Sequence, residues 1–354
     1  MSAGEISEPG QAARQPTAEE RAAAGEVLRM IWGLHISRAV YVVAALGIPD
    51  MLAGGPMAAG QLAEATRAHE MSLYRVLRLL ASLGVLTEDE NRTFSLTLLG
   101  DRLRTDAPAS MRSWAMLTDS IGGVRSFGPI VEAVRTGKPG LSIAYDMSWF
   151  EFLAAHPQEA VGFQAAMSER TASFAPSVAA EYDFSAARMV ADIGGGKGTL
   201  LAAILQKHGH LRGILFERPE VASGAAPVLA AAGVADRCEV VAGDFFARVP
   251  EGADIYLMAN VLHDWDDARS VHILANCHAA MRAGGRVLIV ERLIPDDPAE
   301  AVPALLSDIN MLVLTGGMER TNAEYAALLS QAGLVPGRVL PVAATYGVIE
   351  GVKE

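Results

Sequence analysis

The stretch Asp192-Ile193-Gly194-Gly195-Gly196-Lys197-Gly198-Thr199 constrains this chain more than any other. An apolar run, Met189-Val190-Ala191, precedes it, and a second, Leu200 to Leu205, follows. That order reads as strand, glycine turn and helix. Glycines there let the backbone turn tightly and let a ligand come closer than a Cβ would allow. The next strand-like run, Ile214-Leu215-Phe216, ends on Glu217, about 20 residues on, where a carboxylate can accept hydrogen bonds from a ribose diol. Together they point to a cofactor built on adenosine.

Spacing separates the classes of glycine turn. A P-loop needs G-x-x-x-x-G-K-[ST], but Ala191 stands where its first glycine belongs and Gly198 follows Lys197. A dinucleotide fold wants G-x-G-x-x-G to seat a pyrophosphate on the helix N-terminus, and position 199 is Thr. The D-x-G-x-G-x-G form from Asp192 to Gly198 suits S-adenosylmethionine (SAM). SAM carries an ammonium and a sulfonium and no pyrophosphate, so an acid at the turn is apt. A tight turn with no ligand remains the alternative for this segment alone.

The formal net charge of the 354 residues is -12, which opposes a sequence-independent grip on nucleic acid. No uninterrupted apolar run approaches the ~18 residues of a membrane span, so no membrane association is expected. Residues 1–17 read as a disordered tail rich in Ala, Gly, Pro, Glu and Gln. Cys238 and Cys277, far apart in sequence, fit a reducing cytoplasm without a disulfide framework.

Val27, Met30, Ile31 and Leu34 share one helical face in a segment running from Ala18 to about Gly47. Shorter helices over 50–53, 58–66 and 72–83, then strand-like 84–86 and 93–96 around a polar turn, make a winged-helix pattern. Helix follows to about Ala180. From Met189 the rhythm changes to strands at 189–193, 213–217, 238–242, 254–259 and 285–291. Helices alternate at 199–208, 219–232, 267–281, 302–314 and 322–332, and two strands, 336–342 and 345–352, close the chain. Alternation of this kind predicts an α/β fold with a doubly wound, mostly parallel Rossmann-like sheet. The expected division is a helical winged-helix-like domain over 18–170 and a catalytic domain over 171–354.

Ligands of such sheets bind beyond the carboxyl ends of the strands. Those ends carry Asp192, Glu217, Gly243-Asp244-Phe245 and Glu291. Asp244 and Phe245 suit an adenine amine and face, although an acid there can also cap a helix. After the fourth strand comes Asn260-Val261-Leu262-His263-Asp264-Trp265. A histidine at the cofactor edge can accept a proton near neutral pH and act as a general base. Asp266 and Asp267 are read as caps of the following helix. No histidines share metal-ligand spacing, so no metal is expected.

These pieces resemble the SAM-dependent small-molecule O-methyltransferases, the family of plant caffeic acid-type and bacterial polyketide and antibiotic O-methyltransferases. The likeness rests on Asp192 to Gly196, Phe216-Glu217-Arg218-Pro219, Gly243 to Phe246, Leu262 to Trp265, Val290-Glu291 and Gly316 to Thr321. Phe150, His156-Pro157 and Phe163 to Met167 resemble the family's dimerisation part, which implies a homodimer. The resemblance makes His263 the base and Glu291 and Glu319 the acids that orient it. It puts Gly194, Gly196, Glu217, Asp244 and Phe245 at SAM, with Asp192 and Asn260 completing that set. It puts Phe163, Met167, Asp308, Asn310 and Met311 at the acceptor, although Phe163 and Met167 could equally be core packing. Many members carry a lysine four residues before the histidine; here that position is Ala259.

The expected activity is methyl transfer from SAM to a hydroxyl, phenolic by preference, of a small aromatic or polyketide-like metabolite. Two rivals stand beside it. One is a SAM-binding homologue with hydroxylase- or decarboxylase-like chemistry, against which His263 with both acids argues. The other is a ligand-sensing DNA-binding regulator, whose candidate recognition helix offers only Arg75 and Arg78 as bases.

Overall fold

The change of rhythm at Met189 marks the start of a seven-stranded sheet. The structure is a computed structural model and describes residues 14–343 and 345–354. Most of the tail expected over 1–17 lies outside the described residues. Thr17 is the cap of the first helix, accepting from Glu20 N while the Glu20 side chain returns to Thr17 N.

The apolar segment expected over 18–47 forms two helices, Ala18–Ile31 and Gly33–Ala45, that meet at Trp32. The second buries Ala39, Val43 and Ala44 against Leu62, Leu77, Leu80 and Phe94. The first buries nothing. By length and composition Ala18–Ala45 is long and apolar enough to cross a membrane, with a mean hydropathy of 1.3. A search for an uninterrupted apolar run overlooks it, because His35, Ser37 and Arg38 interrupt the run.

Three short strands, β1 (Met57–Ala58), β2 (Leu86–Glu88) and β3 (Thr93–Leu96), pair antiparallel in the order β1-β3-β2. With helices Ala59–Thr66 and Glu70–Ser82 they form the winged-helix pattern read from the sequence. β1 was not foreseen, because two residues carry no periodicity.

The catalytic sheet contains β4 (Met189–Ile193), β5 (Arg212–Glu217), β6 (Cys238–Ala242), β7 (Ile255–Ala259), β8 (Arg286–Arg292), β9 (Val335–Ala343) and β10 (Tyr346–Val352). Its order is β6-β5-β4-β7-β8-β10-β9. β4 to β8 run parallel, and β10 is antiparallel to both neighbours. β4 and β7 are buried nearly throughout, as strands covered by helices on both faces must be. The chain reverses its winding between β4 and β7, which opens a crevice above their carboxyl ends.

One long helix, Pro157–Glu181, crosses the 170/171 position at which the sequence suggested a division. Its C-terminal half packs Phe174, Ala175 and Val178 into the core beneath β4 and β7. Phe174 also stacks on Tyr346 of β10, with centroids 4.5 Å apart. Truncating Phe174 to Ala removes a buried ring and costs about 3–5 kcal/mol. The N-terminal half of the same helix therefore stands in fixed register over the sheet's carboxyl edge.

Candidate active site

A cavity of about 950 Å³ opens at that edge. Asp192 ends β4 at its floor, buried, with both carboxylate oxygens lacking a hydrogen-bond partner. Burial, reinforced by Glu217, pushes the Asp192 pKa up to about 7. A buried acid without a partner fits the cationic end of a ligand. Gly196 has φ +59°, and a Cβ there would meet only Gln164 Oε1, at 4.0 Å, so the turn is left open toward the cavity. Glu217 spends one oxygen on Gly196 N at 3.0 Å and the other on Arg218 N at 2.8 Å. Burial raises its pKa too.

Gly194, Asp244, Phe245 and Asn260 line the same cavity. Asp244 caps its own turn by accepting from Phe246 N at 2.8 Å. Phe245 packs edge-on against Trp265, and Asn276 holds the carbonyls of Phe245 and Phe246. Asn260 adopts φ +53°, a left-handed conformation that asparagine tolerates better than most residues, and accepts from Tyr346 Oη at 2.9 Å.

His263 lies in a single helical turn, Leu262–Asp264, and is 3% exposed. Glu291, at the end of β8, accepts from Val261 N and Leu262 N through Oε1, both at 2.9 Å, and so shapes that turn. Its Oε2 lies 3.6 Å from His263 Nδ1. Glu319 Oε1 is nearer, at 3.1 Å from the same nitrogen. Burial opposes a charge on the ring, but Glu291 and then Glu319 outweigh it and push the His263 pKa up to about 9. The hydrogen bond from His263 holds Glu319 below the usual carboxylate range in spite of its burial.

Sequence spacing gave no hint of a metal, yet ligand atoms of His263, Glu291 and Glu319 all lie within 4.8 Å of one another. The Oε1 atoms of both acids already accept from protein donors, which suits a clamp on the ring. Arg320, 1% exposed, ties the turn down by donating to Leu262 O and Trp265 O. Asp267, read as a helix cap, pairs with Arg320 instead, while Asp266 does cap the helix. A Cβ at Gly317 would come within 2.0 Å of the His263 carbonyl oxygen, so only glycine lets the loop before Glu319 pass.

Of the expected acceptor residues, Phe163, Met167, Asn310 and Met311 line the cavity. Asp308 does not. Its Oδ1 accepts from Glu319 N at 2.8 Å, so it fixes the backbone beside the acid rather than meeting a ligand. Trp114, Trp149, Ser307, Asp264 and Arg170 also line the cavity; of these, Ser307 and Arg170 had no signal in the sequence. Burial raises the Asp264 pKa to about 6. Its place directly after the histidine was the one available signal.

Residues 127–335 match a family described as the O-methyltransferase domain, and residues 28–106 match the O-methyltransferase dimerisation domain. The chain belongs to the O-methyltransferase family. This methyltransferase is 42% identical to the phenazine O-methyltransferase PhzM of Lysobacter antibioticus, over 92% of this chain and 94% of that one. Its structure is similar to that of the mitomycin 7-O-methyltransferase MmcR, with a TM-score of 0.88 and 40% identity over 96% of this chain and 100% of the other. It is also similar to NcsB1 from neocarzinostatin biosynthesis, solved with SAM and 2-hydroxy-5-methyl naphthoic acid, at a TM-score of 0.79 and 35% identity over 92% and 98%. The enzyme is a SAM-dependent O-methyltransferase.

Proposed function

We propose that the enzyme methylates a phenolic hydroxyl of a small aromatic or polyketide-like metabolite, with His263 as general base. The observation that carries this reading is the imidazole itself. Its Nδ1 is engaged by Glu319, so Nε2 is the nitrogen left for an acceptor in the cavity that the ring lines.

When bound, SAM supplies an electrophilic methyl group on its sulfonium. Asp192, Gly194, Gly196, Glu217, Asp244, Phe245 and Asn260 form the surface that would hold it. Trp114, Trp149, Phe163, Met167 and Met311 offer broad apolar faces for a planar acceptor and keep water from the reacting oxygen. Neutral His263 takes the phenol proton at Nε2 as the oxygen attacks. Glu319 and Glu291 hold the Nδ1 proton and stabilise the ring once it is charged, as the acid of a triad does. Phenazine, mitomycin and a hydroxynaphthoic acid in the names of the relatives support a fused-ring acceptor.

We further propose a homodimer built on the exposed face of Ala18–Ile31, which nothing covers among the described residues, and domains over 18–170 and 171–354 joined through the helix Pro157–Glu181. The free thiols of Cys238 and Cys277 suit work in the cytoplasm.

The test is transfer of labelled methyl from SAM to a panel of phenols, catechols, aromatic amines and fused-ring hydroxy acids. Label on phenolic oxygen supports the reading. Label confined to amines, or no label together with oxygen incorporation, would sink it.

A further inference from the structure

Arg170 stands on the inner wall of the cavity, on the long helix Pro157–Glu181. Its Nε donates to Tyr346 Oη, which in turn donates to Asn260 Oδ1. The Tyr346 ring lies 5.5 Å from the guanidinium carbon and the Trp114 ring 5.9 Å from it. These contacts hold the guanidinium plane in place from two elements, with Asn260 steadying Tyr346 behind it. Its Nη2, however, is buried with no hydrogen-bond partner.

A guanidinium nitrogen buried and unsatisfied is expensive, and natural structures keep few of them. Glu319, Glu291 and Asp264 lie in its field but none bonds to it; the two glutamates are turned to His263. Arg170 lines the cavity, and its guanidinium keeps donor capacity that no protein acceptor uses. Fixed, planar guanidinium donors match a carboxylate better than any other small anion of metabolism except phosphate. The phosphate alternative is weak here, since the three acids in the same field disfavour a dianion more than a single negative charge.

The long helix also measures the distance. Gln164 reaches toward the open side of the glycine turn, with Oε1 4.0 Å from the place a Gly196 Cβ would occupy. Arg170 follows six residues later, about 9 Å further along the axis at ~1.5 Å per residue. That places it beyond the nucleoside end marked by Glu217 and Asp244, on the side of His263.

We propose that Arg170 is a carboxylate anchor at the inner end of the cavity. The carboxylate is either the amino-acid carboxylate of SAM or an acid substituent on the aromatic acceptor. The inference rests on the reading that SAM occupies this cavity. It adds a residue for which neither the strand-end pattern nor the family motifs gave a role.

The experiment is calorimetric and needs no turnover. Wild type, Arg170→Met and Arg170→Lys are titrated with S-adenosylhomocysteine and with 5′-methylthioadenosine, which keeps the nucleoside thioether and lacks the amino-acid end. The S-adenosylhomocysteine-saturated proteins are then titrated with a naphthol and with its ring-carboxylated analogue. If the cofactor carboxylate is held, Arg170→Met weakens S-adenosylhomocysteine by about ten- to hundredfold and leaves 5′-methylthioadenosine unchanged. If the acceptor acid is held, the loss falls on the carboxylated naphthol alone. Equal affinities in variant and wild type for all four ligands would overturn the anchor and leave Arg170 as a countercharge for Glu291 and Glu319. Should Arg170→Met fail to fold, Arg170→Lys decides. It keeps the charge and loses the fork, so it must weaken the carboxylate-bearing ligand more than its partner, and equal weakening of both would overturn the proposal. Failure of the wild type to bind S-adenosylhomocysteine would overturn the SAM reading instead, and the naphthol pair would then decide for Arg170.

Discussion

Ser307 donates its hydroxyl to Glu319 Oε1 across 2.6 Å, and that same oxygen lies 3.1 Å from His263 Nδ1. The helix Pro298–Leu314 that carries Ser307 also carries Asn310 and Met311 on the cavity wall. Ser307 thus ties Glu319, and through it His263, to the helix that forms part of the cavity wall. Removing the donor leaves Glu319 more basic and less firmly placed. Ser307→Ala should lower kcat by about two- to tenfold, the worth of one net hydrogen bond of about 0.5–1.5 kcal/mol. Affinity for S-adenosylhomocysteine should not move. Steady-state kinetics beside calorimetry checks both, and an unchanged kcat would remove Ser307 from the positioning of the base.

His263→Ala should lower turnover by about two to four orders of magnitude, the usual worth of a general base. The loss should shrink for phenols acidic enough to be ionised beforehand, and higher pH should partly restore the variant. A series of phenols of graded acidity checks this. Full activity across the series would make His263 a structural residue.

The pH profile follows from the two acids at the ring. A base with a pKa raised to about 9 stays protonated over most of the neutral range, so the free enzyme's kcat/KM should climb with pH toward that value. Glu291→Gln keeps an acceptor oxygen for the amides of Val261 and Leu262 while removing a charge beside Nδ1. Its inflection should move to lower pH, and it should cost less activity than His263→Ala. Stability runs the opposite way: the contribution of charged His263 is complete below an unfolded value of ~6.5 and is lost as pH rises through the folded one. Chemical denaturation at several pH values measures it.

Gly196→Val should abolish SAM binding. The new side chain would point into open cavity from a backbone at φ +59°. The left-handed conformation alone costs a β-branched residue about 1–2 kcal/mol. A melting curve separates that loss from the loss of affinity. Undiminished affinity in a folded variant would refute the placement of SAM over this turn.

Met30 is 75% exposed, Ile31 65% and Leu34 63%, a contiguous apolar surface that water alone does not favour. Sedimentation should show a species of twice the chain mass at micromolar concentration. Met30→Glu and Ile31→Glu should shift it toward the monomer. A wild type that sediments as a monomer would leave this helix to another partner, a membrane surface included.

The acids at strand ends were legible from the chain alone. A parallel βα unit has a fixed polarity, so the residue that ends each strand must arrive at the same edge. Asp192, Glu217, Asp244 and Glu291 could be placed there without coordinates, and so could His263 after β7. The open turn at Gly196 was legible for a related reason, because backbone conformation is a local property. Glu319 was reached only through family likeness, since nothing local ties it to a histidine so far back in the sequence. Other residues escaped both routes. Arg170 and Ser307 belong to the site through the way the Pro157–Glu181 helix and the 307–320 segment pack over the sheet edge, and Arg320, inside a family motif, gets its role from the same packing. Asp308 shows the limit from the other side: it shares a helix with Asn310 and Met311, yet it turns to Glu319 N and away from the cavity. Side-chain direction around a helix is settled by what the helix packs against, and those partners come from distant parts of the chain. The parallel sheet, its cofactor edge and the position of His263 beside that edge follow from local pattern and strand polarity. The raised pKa of His263 and the walls of the cavity come from the packing of distant segments, because burial and charge proximity are properties of packing and not of spacing.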